Sequence, residues 1–500
     1  MDALTVYYQG GGSSSYHPKM MIKVWLYGYC ERIYTSRRLA KALRENVVFI
    51  WLAGGQTPCF KTLSGFRGER MQGMIDIVFK QLLLLLLEEG YIEMKDLYVD
   101  GSKWEANANR YKITWAKNTE RYKAAVLGRI DKLLQEIEDL QRAEDKEYGN
   151  RDLPEVGGGK EVRVVLNSEQ VNRHLEEINR LIEEKKEQQV QRTELVKAGK
   201  KLLAEQEKLK KYERQELLFN GRNSYSQTDP DATALRMKDE RLLPGYNVQH
   251  TTDHQYIVNW TVAQCASDSP ALPAHLDKMG ERRQGLPVPA AHNLGADAGY
   301  GSEENYAELE KRGINAYVKY PLFDQEQSGE LLKKRFRREN FPYDPEGDFF
   351  TCPQEQLLHF LEERSLVTIN GHEKTVRIYQ CENCDNCPFA PECKKSEDKG
   401  RTVRYSPKGE AYKNKARAML KSKKGLQMRS ERGIEVESSF GDIKHNMQHR
   451  RFILRGQKKV YVEYGLLAIG HNLRKVYCEK SGCWAGYYAQ RAGKKGKKAA

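Results

Sequence analysis

Over the first 95 residues apolar positions recur at helical spacing. Met20 to Cys30 is apolar and aromatic. The basic segment SRRLAKALREN opens at Ser36, which is expected to cap its helix, and a further helix is predicted from about Met71 to Glu89. Its leucine run, Leu82 to Leu87, is closed by Glu88 and Glu89 and falls far short of the roughly 20 apolar residues of a membrane span, so a buried core helix is expected. The pattern then shifts. Leu97, Tyr98 and Val99 predict a short strand ending on Asp100 and Gly101, which would leave the carboxylate exposed on a fixed backbone.

Residues 115–220 change character. Val126, Ile130, Leu133, Ile137 and Leu140 step by four and three, a heptad seam. Pro154 and glycines 157–159 interrupt it. Val171, Leu175, Ile178 and Leu181 or Ile182 resume it, and Leu195, Leu202 and Leu209 extend it. The pattern predicts a pair of long antiparallel helices or one arm of a dimer, with the charge run 183–192 as a solvated face.

From 221 to 325 strands and helices alternate. Tyr246 to Gln249 and Tyr256 to Val262 predict two strands joined by a polar turn at Thr252 to His254, and LPAHLDKMGERR predicts a helix. Asp297 sits in a small-residue stretch near a strand end. Ser302, Glu304 and Asn305 open a helix, and Ile314 to Val318 forms another strand. Between 401 and 460 lies the amphipathic helix candidate RGIEVESSFGDIKHN.

Charge narrows the class of partner. The chain carries 83 Lys and Arg against 69 Asp and Glu, a formal charge of +14. Residues 401–460 alone hold 17 basic and 5 acidic residues, an excess of 12. Such a balance favours a polyanion, because neutralised phosphates release counterions. The basic helix at Ser36 would suit either DNA reading or plain packing. The start, MDALTVYYQGGG, lacks the basic and apolar parts of a secretory signal, so a cytoplasmic protein without membrane partners is expected. Its ten cysteines then read as metal ligands or buried thiols. Cys381, Cys384, Cys387 and Cys393, spaced by two, two and five residues, with Cys352 as a fifth candidate, suit a structural Zn²⁺. An iron–sulfur cluster or unliganded thiols are the alternatives. Cys30, Cys59, Cys265, Cys478 and Cys483 are expected to be core or incidental.

Several ordered motifs share one resemblance: YHPKMMIKVWLYGY (16–29), SRRLAKALREN (36–46), FRGER (66–70), YVDGSKWEANANRY (98–111), TDPDAT with MKD and PGYNVQ (228–249), ADAGYGSEENY (296–306), CENCDNCPFAPEC (381–393) and VESSFGDIKHNMQHRRFILRG (436–456). With them the chain resembles the DDE transposases of bacterial insertion sequences. The resemblance implies an α/β fold with an RNase H-like catalytic core, a mixed sheet flanked by helices. It adds a helical N-terminal, DNA-binding domain (1–95), a helical coiled-coil insertion (115–222) and a small Cys-rich insertion (341–400). The core would then be split into 96–114, 223–340 and the final catalytic helix region 401–480, followed by a basic tail (481–500).

The resemblance also implies roles. Asp100, Asp297 and Glu437 match the catalytic triad, with Glu435 as the rival of Glu437, and would hold two Mg²⁺ (or Mn²⁺) ions. Lys444, seven positions beyond Glu437, matches a DNA-contacting lysine. Arg432, Arg450, Arg451 and Arg455 are further DNA-binding candidates. One departure stands out: the family's arginine is expected four residues before the Glu, yet position 433 is Gly and Arg432 is its neighbour, and Ser430 lies near the place of an expected Tyr. The YHPK motif also starts earlier than in relatives. Asp229, Asp231, Glu105, Asn107, Asn109 and His292 are expected to shape the site or the fold rather than bind metal. The implied reaction is hydrolysis at transposon ends followed by 3′-OH strand transfer into target double-stranded DNA. A homodimer or higher oligomer on the DNA, near the bacterial nucleoid, is the implied setting. The alternatives are an inactive or domesticated DNA-binding protein and a nuclease that cuts without joining.

Overall fold

The computed structural model describes residues 15–148, 167–184, 189–289, 292–384, 387–394 and 400–482. Pro154, glycines 157–159, part of the run 183–192, Cys483 and the terminal basic tail lie outside them, as do the side chains of Leu140, Leu181 and Leu195. The chain divides into two compact units, Ala108–Ala234 and the remainder.

The larger unit opens with helices Pro18–Cys30, Ser36–Glu45, Val47–Leu52, Phe60–Gly65 and Met71–Glu88. The cap of the second is Thr35, whose side chain accepts from the backbone N–H of Arg38 at 3.3 Å, so the expected cap at Ser36 moves by one residue. The leucine run is half core: Leu82, Leu83 and Leu86 are buried and Leu85 is exposed.

The central sheet is mixed. Five of its six strands lie wholly in this unit; in chain order they are β1 (Asp96–Glu105), β2 (Leu242–Asp253), β3 (Tyr256–Ala263), β4 (Asn293–Ala296) and β5 (Asn315–Val318). In space they run β3–β2–β1–β4–β5. β2 is antiparallel to β1 and β3, whereas β4 is parallel to β1 and β5. The β2–β3 hairpin turns at His254 and Gln255, both at positive φ. The expectation that β1 ends at Asp100 is corrected. The strand continues to Glu105 because β2 pairs with it along its whole second half, from Tyr98 opposite Thr252 to Glu105 opposite Gly245. Only the β4 side stops early, its pairing covering Asp96 to Tyr98.

The helix Gln457–Ser481 packs on this sheet and on the N-terminal helices. Gly465 makes that close approach possible, since a Cβ there would fall 2.6 Å from Trp260 and 2.7 Å from Ile75. Beside it a buried Arg282 lies 3.6 Å over the Trp260 ring and pairs with Asp76 at 2.8 Å.

Residues 343–405 form a five-stranded antiparallel sheet, β6 (Tyr343–Asp344), β7 (Phe349–Thr351), β8 (Leu357–Val367), β9 (Glu373–Cys381) and β10 (Thr402–Tyr405). Its small core contains Phe341, Phe350, Leu358, Tyr379 and Val403 together with Cys381 and Cys384.

The second unit holds three helices among its described residues, Ala116–Tyr148, Ser168–Glu184 and Gln189–Phe219, where a pair was expected. Lys123 meets Glu216 and Arg129 meets Glu205, so first and third run antiparallel. The heptad positions Val126, Ile130, Ile137, Val171, Leu175, Ile178, Leu202 and Leu209 close on one another within a single chain.

Candidate active site

Asp100 lies mid-strand on β1, opposite His250 of β2, just beyond the point where β4 leaves the sheet. Asp297 follows the last residue of β4 and its Oδ1 accepts from the Gly299 N–H at 2.9 Å. Early termination of β4 thus opens the sheet where both carboxylates meet. Burial, and next the charge of Asp297, push the Asp100 carboxyl up to about 6; Arg432 and the Gly101 N–H, 2.8 Å from Oδ1, oppose the rise. A carboxylate whose ionisation is opposed by a neighbouring carboxylate is stabilised in its charged form by nearby positive charge.

The third acidic position lies on the helix after Lys423. Arg432 reaches Asp100 at 3.4 Å and Glu437 at 3.8 Å, linking the two. The local helix geometry accounts for the second contact. Residues Gly433–Glu437 form a π-helical turn, with one extra residue per turn. Arg432, five positions before Glu437, therefore faces it as a residue four positions away would on a regular helix. Glu435 points elsewhere: its Oε2 accepts from the Gln255 N–H at 2.6 Å, at the β2–β3 turn. Burial raises its pKa, against that hydrogen bond and the neighbouring His254.

The remaining expected residues surround this place. Lys444 is half-buried, donates to Ser102 Oγ at 2.5 Å and to the Lys103 carbonyl at 3.0 Å, and sits 4.0 Å over the Trp104 ring. Burial and then the charge of Lys238 lower its pKa to about 8, against Asp100. Arg450 and Arg455 are exposed, and Arg451 pairs with Glu105 at 3.4 Å. Arg455 donates to the Asn107 carbonyl at 2.7 Å, and Asn107 donates to the Ile453 carbonyl at 2.6 Å. The segment bearing these arginines is fixed from below by the buried Glu463, which accepts from His449 at 3.0 Å, Ile453 N–H at 2.9 Å and Leu454 N–H at 2.8 Å. Asp229 and Asp231 belong to the other unit, at a turn where Arg222 donates to the Asp231 carbonyl at 2.9 Å. His292 is buried.

Asp268, which no sequence pattern singled out, also comes close. Its Oδ1 accepts from Asn247 at 2.8 Å and from Gln249 at 2.9 Å, and its charge adds to the upward push on Asp100. It stands in the polar loop SDSP, where spacing carries no signal.

The cysteines gather in the small sheet. Cys352, Cys381, Cys384, Cys387 and Cys393 line one cavity with Arg401. The N–H of Gln354 donates to Cys352 Sγ and that of Arg401 to Cys384 Sγ, both at 3.3 Å. Burial pushes the Cys381 thiol up to about 12. Cys30 is pushed up to about 12 by burial and Cys265 up to about 11; Cys59 is exposed. Among the described residues, no three His, Cys, Asp or Glu side chains stand in an arrangement that could hold a metal ion as they are. No described helix is long and apolar enough to cross a membrane.

Comparison with known proteins finds two family models. Residues 351–477 match the Transposase DDE domain, a stretch that contains Arg432, Glu437, Lys444 and the cysteine pairs but neither Asp100 nor Asp297. Residues 1–69 match the Transposase domain (DUF772). No curated protein and no solved structure matches the chain. Both models describe transposase domains, and with the mixed α/β architecture between them they support an insertion-sequence DDE transposase.

Proposed function

We propose that this transposase cuts DNA at the ends of its element and joins the freed 3′-OH to target DNA, with Asp100, Asp297 and Glu437 as the metal-binding triad. The observation that carries the reading is the meeting of Asp100 and Asp297 at the opened sheet, with Arg432 linking Asp100 to Glu437. The order β3–β2–β1–β4–β5, with the first Asp on the first core strand and the second just after the fourth, supports an RNase H-like core.

The donors fit a hard divalent ion, since they are carboxylate oxygens. Two bound Mg²⁺ or Mn²⁺ ions would activate the attacking oxygen and stabilise the leaving one. The chain's own groups do the positioning. Gly299 orients Asp297 through its N–H, and Arg432 holds Asp100 and Glu437 on one side of the sheet. Lys444 fixes the catalytic helix against β1 through Ser102 and Lys103 and keeps a positive charge beside Asp100. Arg450, Arg451 and Arg455 offer guanidinium groups for backbone phosphates. Hydrolysis and strand transfer are both in-line displacements at phosphorus, so one carboxylate set serves both.

In the small sheet, a structural Zn²⁺ held by four of the five cavity cysteines accounts for thiols that share one cavity while two sulfurs already accept backbone N–H bonds. Assembly as a dimer or larger oligomer on DNA completes the reading.

The test is a labelled duplex bearing the element's terminal repeats, incubated with Mg²⁺ or Mn²⁺. Free 3′-OH ends and joined products are expected, and Asp100→Ala and Asp297→Ala should abolish both. Activity retained in either variant refutes the mechanism; cleavage without joining identifies a nuclease.

A further inference from the structure

We propose that Asp268 is a fourth acidic group of the catalytic centre, a positioning residue that holds the water shell of the ion bound by Asp297. This rests on the two-metal reading above and adds a ligand-sphere partner to it.

Four features converge. First, position: a Cβ built on Gly299 would lie 3.0 Å from Asp297 Oδ1 and 3.7 Å from Asp268 Oδ2, so the two carboxylates flank the same residue. Second, anchoring: both hydrogen bonds to Asp268 go to Oδ1, from Asn247 and Gln249, which leaves Oδ2 for the site. Tyr300 in turn donates to Gln249 Oε1, fixing that amide's orientation. Third, space: Gly101 is paired with Gln249, so the two share a face of the sheet, and a Cβ at Gly101 would stand 2.1 Å from Asp268 Oδ1. Glycine at 101 thus leaves room for Asp268 beside Gln249, and its approach to Asp297 is the one made at Gly299.

The fourth feature is an orphan. Asn247 is fully buried and directs its amide N–H at Asp268, yet its Oδ1 has no hydrogen-bond partner among the described residues. Turning the amide over would set its oxygen against the Asp268 carboxylate, so the charge of Asp268 fixes the assignment. A buried acceptor without a donor is costly, and a water would satisfy it. Charge points the same way. Asp100, Asp268, Asp297 and Glu437 are four carboxylates, and among the described residues only Arg432 stands within ion-pair distance of any of them. Mg²⁺ keeps several of its waters when bound, and partners of such waters tune affinity about 10–100-fold.

The experiment is Mn²⁺ titration calorimetry on the full chain without DNA. Asp268→Asn keeps the Oδ1 acceptor for Asn247 and Gln249 and removes the charge at Oδ2. One of two Mn²⁺ sites should weaken about 10–100-fold, with the metal-free melting temperature unchanged or raised, and Asp268→Glu should recover part of the affinity. Wild-type affinity at both sites in Asp268→Asn overturns the proposal while the two-metal reading stands. Equal weakening in Asp268→Glu together with lowered melting temperatures in both variants also overturns it, as a purely structural role. A wild-type protein that binds no pair of ions overturns both readings.

Discussion

Asp100→Asn should make the metal-free protein more stable at neutral pH while removing its response to metal. The Asp100 carboxyl is pushed from its ordinary 3.8 up to about 6 by burial and Asp297. At about 1.4 kcal/mol per unit, keeping it ionised in the fold costs about 3 kcal/mol near pH 7. The sign follows from linkage. A folded-state pKa above the unfolded value stabilises fully below the unfolded pKa, and that contribution is lost as pH rises through the folded one. The wild type therefore loses it between about pH 4 and about pH 7, whereas Asn carries no such dependence. Scanning fluorimetry in EDTA should show the variant melting above wild type near pH 7.5, with the difference shrinking to nothing near pH 4. Added Mg²⁺ or Mn²⁺ should then stabilise the wild type alone, since a ligand stabilises only the state that binds it. A variant that melts below wild type near pH 7.5, or a difference independent of pH, would refute this electrostatic reasoning.

Three further outcomes follow from buried groups. Glu463→Ala should destabilise the larger unit by about 3–5 kcal/mol, because it strands buried His449 and frees two backbone N–H groups. Burial raises the Glu463 pKa, but His449 and the N–H donors outweigh it and the net shift is down. Its contribution is present above the unfolded carboxylate pKa and fades as pH falls through the folded one, which denaturant midpoints at several pH values will show. Ile130→Ala removes a fully buried contact of the three-helix core and should cost about 2–5 kcal/mol, read by hydrogen exchange confined to Ala108–Ala234. Metal analysis should find about one zinc per chain, falling in Cys384→Ser; zinc content unaffected by that change would remove the cysteine cavity from consideration.

How much of this was legible in sequence varied with the physics involved. Helical periodicity reports burial directly, so the Met71 helix and the described heptad positions between Val126 and Leu209 landed on real cores. The number of helices did not, because the seam residues specify contact faces and not which segments fold back. Asp100 was found by motif, but its place on the strand was misjudged. Asp-Gly carries a turn signal, and only the unbroken pairing of β1 with β2 overrides it. The contact of Arg432 with Glu437 was not read because helix spacing assumes a regular helix, and the π turn between them has no local code. The small antiparallel sheet went unseen behind its cysteines. Asp268 was invisible since its meaning comes from Asn247, Gln249 and Gly101, brought together by strand register.

The proposed two-ion centre is tested most directly by electron paramagnetic resonance of Mn²⁺ added to the metal-free protein. Two bound ions about 3.5–4 Å apart should give a coupled spectrum. That spectrum should vanish in Asp100→Asn, Asp297→Asn and Glu437→Gln, and persist in Glu435→Gln. A single uncoupled ion in the wild type, or a coupled pair that survives Asp100→Asn, would contradict the assignment.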